Sequence, residues 1–207
     1  MVECDVSFTK DNVAVLLHDD TVNRTSNGTG KIRDLTFDEV RQLDFGSWKN
    51  VQYTGETIPT FQEFLNLCIE LELHPYIEVK SGASLQQTRQ LVEMVDDTEL
   101  SVTWIARDKD ILQLIAELRS GDRIGLLTEL VTRDNLNFLL NLPKNVDVFV
   151  DCNYLTLTNK QIGSCKSHGV ALEVWTINSQ EIVENIDPYI TGVTSDYVNA
   201  QNVFNNL

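Results

Sequence analysis

The chain has 207 residues, with 31 acidic and 16 basic side chains and a formal net charge of −15. A field of that sign repels nucleic-acid backbones and anionic headgroups; it argues against a nucleic-acid or membrane-surface partner and leaves room for a small phosphate ester held by a cation. Hydrophobic residues make up 42% of the chain, which is enough for one globular core over residues 1–207, and no apolar run approaches the roughly 18 residues that a spanning helix needs.

Residues 2–8, Val-Glu-Cys-Asp-Val-Ser-Phe, alternate apolar with polar or small side chains, the period of a strand. Thr9-Lys10-Asp11-Asn12 carries turn chemistry, and residues 13–18 form a second apolar run. A parallel crossover needs about a dozen residues or more, so the two runs are predicted to form an antiparallel hairpin. With Asp11-Asn12 as a two-residue loop, Phe8 faces Val15, Val6 faces Leu17 and Asp5 faces His18; a bulge would move this register by one. Residues 20–59 are a polar insertion with Asn27-Gly28-Thr29-Gly30 and a short helical piece at 36–43, opened by the capping-box pattern Thr36-Phe37-Asp38-Glu39. An insert of that length in a compact domain is commonly a functional cap.

From Pro59 onward helix and strand alternate. Helices are predicted at 60–73, 84–95, 109–118, 132–140, 158–167 and 179–185, and strands at 74–79, 100–106, 123–127, 147–151, 172–176 and 192–195. Mostly apolar strands between amphipathic helices imply a parallel sheet covered by helices, an α/β fold. With residues 2–8 this makes seven parallel-type strands, where a closed (β/α)₈ barrel has eight. An open doubly wound sheet is the structural alternative, but no glycine-rich phosphate loop follows a strand.

The four cysteines, Cys4, Cys68, Cys152 and Cys165, show neither a CxxC nor a zinc spacing and read as reduced core residues. Asn23-Arg24-Thr25 and Asn27-Gly28-Thr29 match the glycosylation pattern, which has no meaning in a reducing compartment; a cytoplasmic location is expected.

In a barrel the chemistry lies at the C-terminal ends of the strands. The polar residues there are Glu3 and Asp5, Glu78 and Lys80, Asp151, Trp175 and Asp196. Glu3 and Asp5 are two apart and share one strand face, and Glu78 and Lys80 repeat the arrangement on the next parallel strand. Each pair alone is most simply a solvated strand face or a surface ion pair. Together, three converging carboxylates cannot all stay ionised without a cation, and an all-oxygen set suits Ca²⁺ or Mg²⁺. The hairpin brings His18 beside them, in the acidic run His18-Asp19-Asp20; carboxylates there favour a protonated ring fit for general-acid work, which a cation opposes. His74 and His168 keep the structural reading. Trp175 is either core or a wall against part of a ligand, and Asp151 and Asp196 read as caps.

These residues carry a family resemblance. Val2-Glu3-Cys4-Asp5-Val6, Thr9-Lys10-Asp11, Val15-Leu16-Leu17-His18-Asp19-Asp20-Thr21 and Asn23-Arg24-Thr25-Ser26-Asn27-Gly28 resemble the opening of the glycerophosphodiester phosphodiesterase family. Leu35-Thr36, Leu43-Asp44-Phe45-Gly46-Ser47-Trp48, Ile58-Pro59-Thr60, Ile77-Glu78-Val79-Lys80, Val174-Trp175-Thr176-Ile177-Asn178 and Gly192-Val193-Thr194-Ser195-Asp196 continue it in order over nearly the whole chain. Val102-Thr103-Trp104-Ile105-Ala106 departs from the Ser-Phe often found at that strand end. The resemblance implies a TIM-type (β/α)₈ barrel with a small insertion after the hairpin, here about residues 20–59. It implies Glu3, Asp5 and Glu78 as metal ligands, His18 as the general acid, Lys80 as a substrate contact and Trp175 as a wall of the entrance. The implied reaction is hydrolysis of a glycerophosphodiester to sn-glycerol 3-phosphate and an alcohol, a step of lipid and glycerol metabolism. The family also has an upstream His-Arg-Gly strand and a Pro-Glu-Asn helix start, which this sequence does not contain. Because that histidine partners the second one and its strand is a barrel stave, a chain without them is expected to be weak or inactive by itself. A non-catalytic metal- or headgroup-binding module and a diesterase of the lysophospholipase D type are the alternative readings.

Overall fold

The computed structural model describes residues 1–197. The chain divides into two compact units, Met1–Trp104 and Ile105–Leu207.

In the first unit, strand β1 (Val2–Phe8) pairs antiparallel with the short β2 (Ala14–Leu16) and parallel with β3 (Pro75–Val79), so β1 is the central strand of the three. The hairpin register differs by one from the predicted one: Phe8 opposes Ala14, Ser7 opposes Val15 and Val6 opposes Leu16. The cause is Asn12, which sits in the left-handed region at φ 63°. It lengthens the loop to Lys10-Asp11-Asn12, with Thr9 N–H donating to Val13 O at 3.0 Å and Asn12 N–H to Thr9 O at 3.0 Å. Asparagine is among the few non-glycine residues that accept that conformation. Asp5 therefore faces Leu17, whose N–H donates to Asp5 O at 3.0 Å, and His18 lies beyond the strand rather than opposite Asp5.

The insertion closes on a small core of its own. Val15 and Leu17 of the hairpin pack with Val22, Ile32, Val40 and Ile58, and Leu35, Phe37, Leu43 and Phe45 cover them. Helix α1 (Phe37–Val40) is opened by the predicted capping box of Thr36 and Glu39, and α2 (Phe61–Glu70) by that of Thr60 and Glu63. Helix α3 (Leu85–Asp96) follows β3 and is capped by Ser84 and Gln87.

Strand β4 (Thr103–Ala106) carries the boundary between the units. The second unit continues the alternation with α4 (Lys109–Leu118), β5 (Arg123–Thr128), α5 (Arg133–Asn141), β6 (Asp147–Asn153), α6 (Asn159–His168), β7 (Ala171–Trp175), α7 (Gln180–Glu184) and β8 (Ile190–Val193). Strands β5 to β8 are parallel neighbours in chain order. Helix α6 ends at Gly169, whose φ of 66° is the usual glycine stop. Strand β8 starts and ends two residues before the predicted 192–195 segment, and Ser195, beyond its end, donates its hydroxyl to Asn178 Oδ1 at 3.2 Å. Near the N-terminal ends of these strands, Arg123 makes a largely buried ion pair with Glu173 at 2.8 Å. All four cysteines are free and buried. No helix among the described residues is long and apolar enough to cross a membrane.

Candidate active site

The β1–β3 register sets the site. Glu3 opposes Tyr76 and Asp5 opposes Glu78 directly across the parallel pair. Since alternate residues share a face, Glu3, Asp5 and Glu78 converge, and one ligand oxygen from each lies within 4.8 Å of the others. Lys80 sits just past β3, its backbone N–H bonded to Val6 O at 3.1 Å. Its ammonium lies 2.8 Å from Glu78 Oε1 and 3.2 Å from Asp5 Oδ1. The pairs predicted on neighbouring strands are thus one cluster.

The electrostatics follow from burial. Glu78 is 8% exposed, and burial pushes its carboxyl above the ordinary value despite the Lys80 ammonium beside it. Burial works against the Lys80 charge as well, but the hydrogen bonds and charges of Glu78 and then Asp5 outweigh it and hold the ammonium above its usual range. Cys4 lies between the two acidic residues of β1, and burial together with Glu3, Asp5 and Glu78 pushes its thiol well up. The cluster has more carboxylate oxygens than one lysine can neutralise. An all-oxygen donor set of that size fits a hard divalent cation.

His18 follows β2 by two residues and its side chain is 66% exposed. Its Nδ1 is 2.8 Å from Asp19 Oδ1. Asp19 in turn accepts two hydrogen bonds from Arg24, at 2.7 Å from Nε and 2.9 Å from Nη2. Those bonds, and then the one with His18, hold the Asp19 carboxyl well below the usual range. Nε2 of His18 has no hydrogen-bond partner among the described residues. Sequence alone placed Asp19 only among the carboxylates beside His18 and gave Arg24 no role. The signals for them were the acidic neighbour of His18 and the arginine in Asn23-Arg24-Thr25.

Trp175 lies in the second unit, at the C-terminal end of β7. Its ring is half-buried under the Arg107 guanidinium, 5.9 Å from the ring centroid, and Arg107 pairs with Glu129 at 3.1 Å. Asp151 is buried in β6. Asp196 is tied to Asn178, accepting from its side-chain amide at 2.7 Å and donating its backbone N–H to Asn178 Oδ1 at 3.0 Å, a turn brace. His74 meets Thr103 at 2.9 Å and His168 meets Ser164 O at 2.7 Å, both structural contacts.

A strand–helix alternation with an acidic cluster at adjacent parallel strands defines an α/β protein with a candidate cation site. The sequence profile of the glycerophosphoryl diester phosphodiesterase family matches residues 1–200. YhdW of Bacillus subtilis is 29% identical over 214 residues, covering 95% of this chain and 82% of its own length. A glycerophosphodiester phosphodiesterase of Caldanaerobacter subterraneus is 28% identical over 201 residues, covering 94% and 81%. The solved structure of an Oleispira antarctica phosphodiesterase in complex with the product sn-glycerol-3-phosphate superposes with a TM-score of 0.89 at 24% identity, covering 99% of this chain and 84% of that one. The chain belongs to the glycerophosphoryl diester phosphodiesterase family, an α/β fold of the TIM-barrel type, and is by that membership a phosphoric diester hydrolase.

Proposed function

We propose that this chain hydrolyses glycerophosphodiesters to sn-glycerol 3-phosphate and an alcohol with the help of a hard divalent cation, Ca²⁺ or Mg²⁺, and that by itself it does so at a low rate. The observation that carries the reading is the convergence of Glu3, Asp5 and Glu78 within 4.8 Å beside Lys80. These three carboxylates would hold the cation, which when bound supplies positive charge against the phosphate oxygens. Lys80 adds a fixed ammonium beside the same oxygens, so the charge that grows on the phosphoryl group meets a preorganised partner. His18 is the proton donor: Asp19 engages Nδ1, which leaves Nε2 of the imidazolium form to deliver its proton to the departing alcohol oxygen as its bond to phosphorus breaks and a water oxygen takes its place on phosphorus.

The test is release of sn-glycerol 3-phosphate from glycerophosphocholine and glycerophosphoglycerol after chelator treatment, with Ca²⁺ or Mg²⁺ restored. Release that depends on added cation, and is lost in Glu78→Gln, is the expected result. Cation binding by calorimetry with no release from either diester would instead support the non-catalytic binding module.

A further inference from the structure

His18 and Asp19 are sequence neighbours at the surface, joined by one 2.8 Å contact. An exposed pair of this kind contributes roughly 0–1 kcal/mol and holds its geometry poorly. A general acid needs more, because a displacement of about 1 Å can remove about a hundredfold in rate. The structure provides it from the insertion. Arg24 grips both Asp19 oxygens with a two-pronged fork, Nε to Oδ2 at 2.7 Å and Nη2 to Oδ1 at 2.9 Å. A planar guanidinium fixes the rotation of the carboxylate plane, which a single contact does not.

Arg24 is itself seated. Its guanidinium carbon lies 5.8 Å from the centroid of the Trp48 ring. Trp48 is 48% exposed, an unusual place for a tryptophan unless something holds it. Its indole N–H donates to Phe45 O at 2.8 Å. The loop beneath it is rigidly built. Asp44 accepts the backbone N–H of Gly46 at 2.8 Å and of Ser47 at 2.9 Å, and Asn27 exchanges two hydrogen bonds with Asp44, at 2.9 and 3.1 Å. A Cβ at Gly46 would lie 1.7 Å from Tyr53 O, so the loop closes only with glycine there. Phe45 N–H bonds Glu56 O at 2.8 Å, joining the two ends of the loop.

We infer that the insertion is a positioning device for His18: Trp48 seats Arg24, Arg24 locks Asp19, and Asp19 holds the His18 ring with Nδ1–H inward and Nε2 presented outward. This rests on the reading of His18 as the proton donor, and makes Arg24 and Trp48 positioning residues that touch no substrate. A carboxylate on Nδ1 selects the Nδ1–H tautomer of the neutral ring, so the device has a spectroscopic signature independent of turnover.

The experiment is ¹⁵N NMR of histidine-labelled protein at a pH where the ring is neutral, on the wild type, Arg24→Ala, Arg24→Lys and Trp48→Ala, with kinetics on the same samples. His74 and His168 serve as internal references. The inference expects His18 to be mainly the Nδ1–H tautomer in the wild type and to shift toward Nε2–H in Arg24→Ala, with the other two histidines unmoved. Arg24→Lys keeps the charge without the fork and should fall between. Trp48→Ala should shift the ring in the same direction by less. The kinetic expectation is a kcat loss of about tenfold to a hundredfold in Arg24→Ala, with KM within about twofold because binding is untouched. Unchanged His18 ring signals in both Arg24 variants would overturn the inference even if hydrolysis persists. Absence of hydrolysis in the wild type would instead overturn the catalytic reading, and the NMR arm would still decide the positioning.

Discussion

Lys80→Met isolates the charge balance of the acidic cluster. Methionine keeps most of the apolar stem and removes the ammonium that lies 2.8 Å from Glu78 Oε1 and 3.2 Å from Asp5 Oδ1. Deleting one partner of a fully buried pair costs about 3–5 kcal/mol. Here the Lys80 and Asp5 side chains keep 19% and 18% of their surface and Glu78 keeps 10%. The Glu78 carboxyl, already pushed up by burial, can also take a proton. The expected cost in chelator is therefore the smaller figure for an unsatisfied buried polar group, about 1–3 kcal/mol. For a domain of this size 1 kcal/mol moves Tm by about 2–4 °C, so the variant should melt roughly 2–12 °C lower. A divalent cation at a hundredfold excess over its Kd contributes about 2.7 kcal/mol. It should recover most of the loss, and should raise the variant's Tm more than the wild type's, where the ammonium repels the same ion. Thermal and urea melts in chelator and in millimolar Ca²⁺ or Mg²⁺ make the comparison. Equal melting of the two proteins in chelator would refute the charge argument, and a cation that stabilises neither would refute the metal site.

Two further expectations probe the fold within each unit. Gly125 on β5 lies opposite Phe149, and a Cβ there would come within 2.3 Å of its ring. Gly125→Ala should therefore destabilise by about 1–3 kcal/mol, and Gly125→Ala/Phe149→Leu should regain part of it in urea titrations; strictly additive losses would contradict the contact. Asp44, which braces the Trp48 loop, is held well below the ordinary aspartate value of 3.8, first by Ser47 and then by backbone N–H groups. A carboxylate depressed in the folded state adds stability that is complete above its unfolded value and is lost as the pH falls through the folded one. The Tm difference between wild type and Asp44→Asn should be full near neutrality and shrink below pH 3.8; a constant difference across that range would count against the assignment.

The periodic parts of the fold were legible in the chain itself. The helix at 109–118 coincides with α4, and the capping boxes at Thr36 and Thr60 form as read, because a cap needs only residues three apart. The acidic set was legible too: Glu3 and Asp5 share a face through the two-residue strand period alone. What sequence could not decide was register. Whether Asp5 meets Glu78 depends on how two strands some seventy residues apart align, and the structure supplies that pairing. The hairpin shows the same limit on a smaller scale: one left-handed residue, Asn12, moved every partner by one and took His18 away from its predicted place opposite Asp5.

The rest was decided only in three dimensions. Trp48 is 24 residues from Arg24 in the chain, and nothing in local composition joins them; the Asn27–Asp44 contacts and the close approach of Gly46 to Tyr53 do. The amino-acid sequence by itself determined which polar chemistry the strands present, because Glu3 with Asp5 and Glu78 with Lys80 recur at the two-residue period that local geometry dictates. Tertiary structure alone determined how that chemistry is held, because the orientation of a side chain such as His18 is set by neighbours that only packing brings within hydrogen-bond reach.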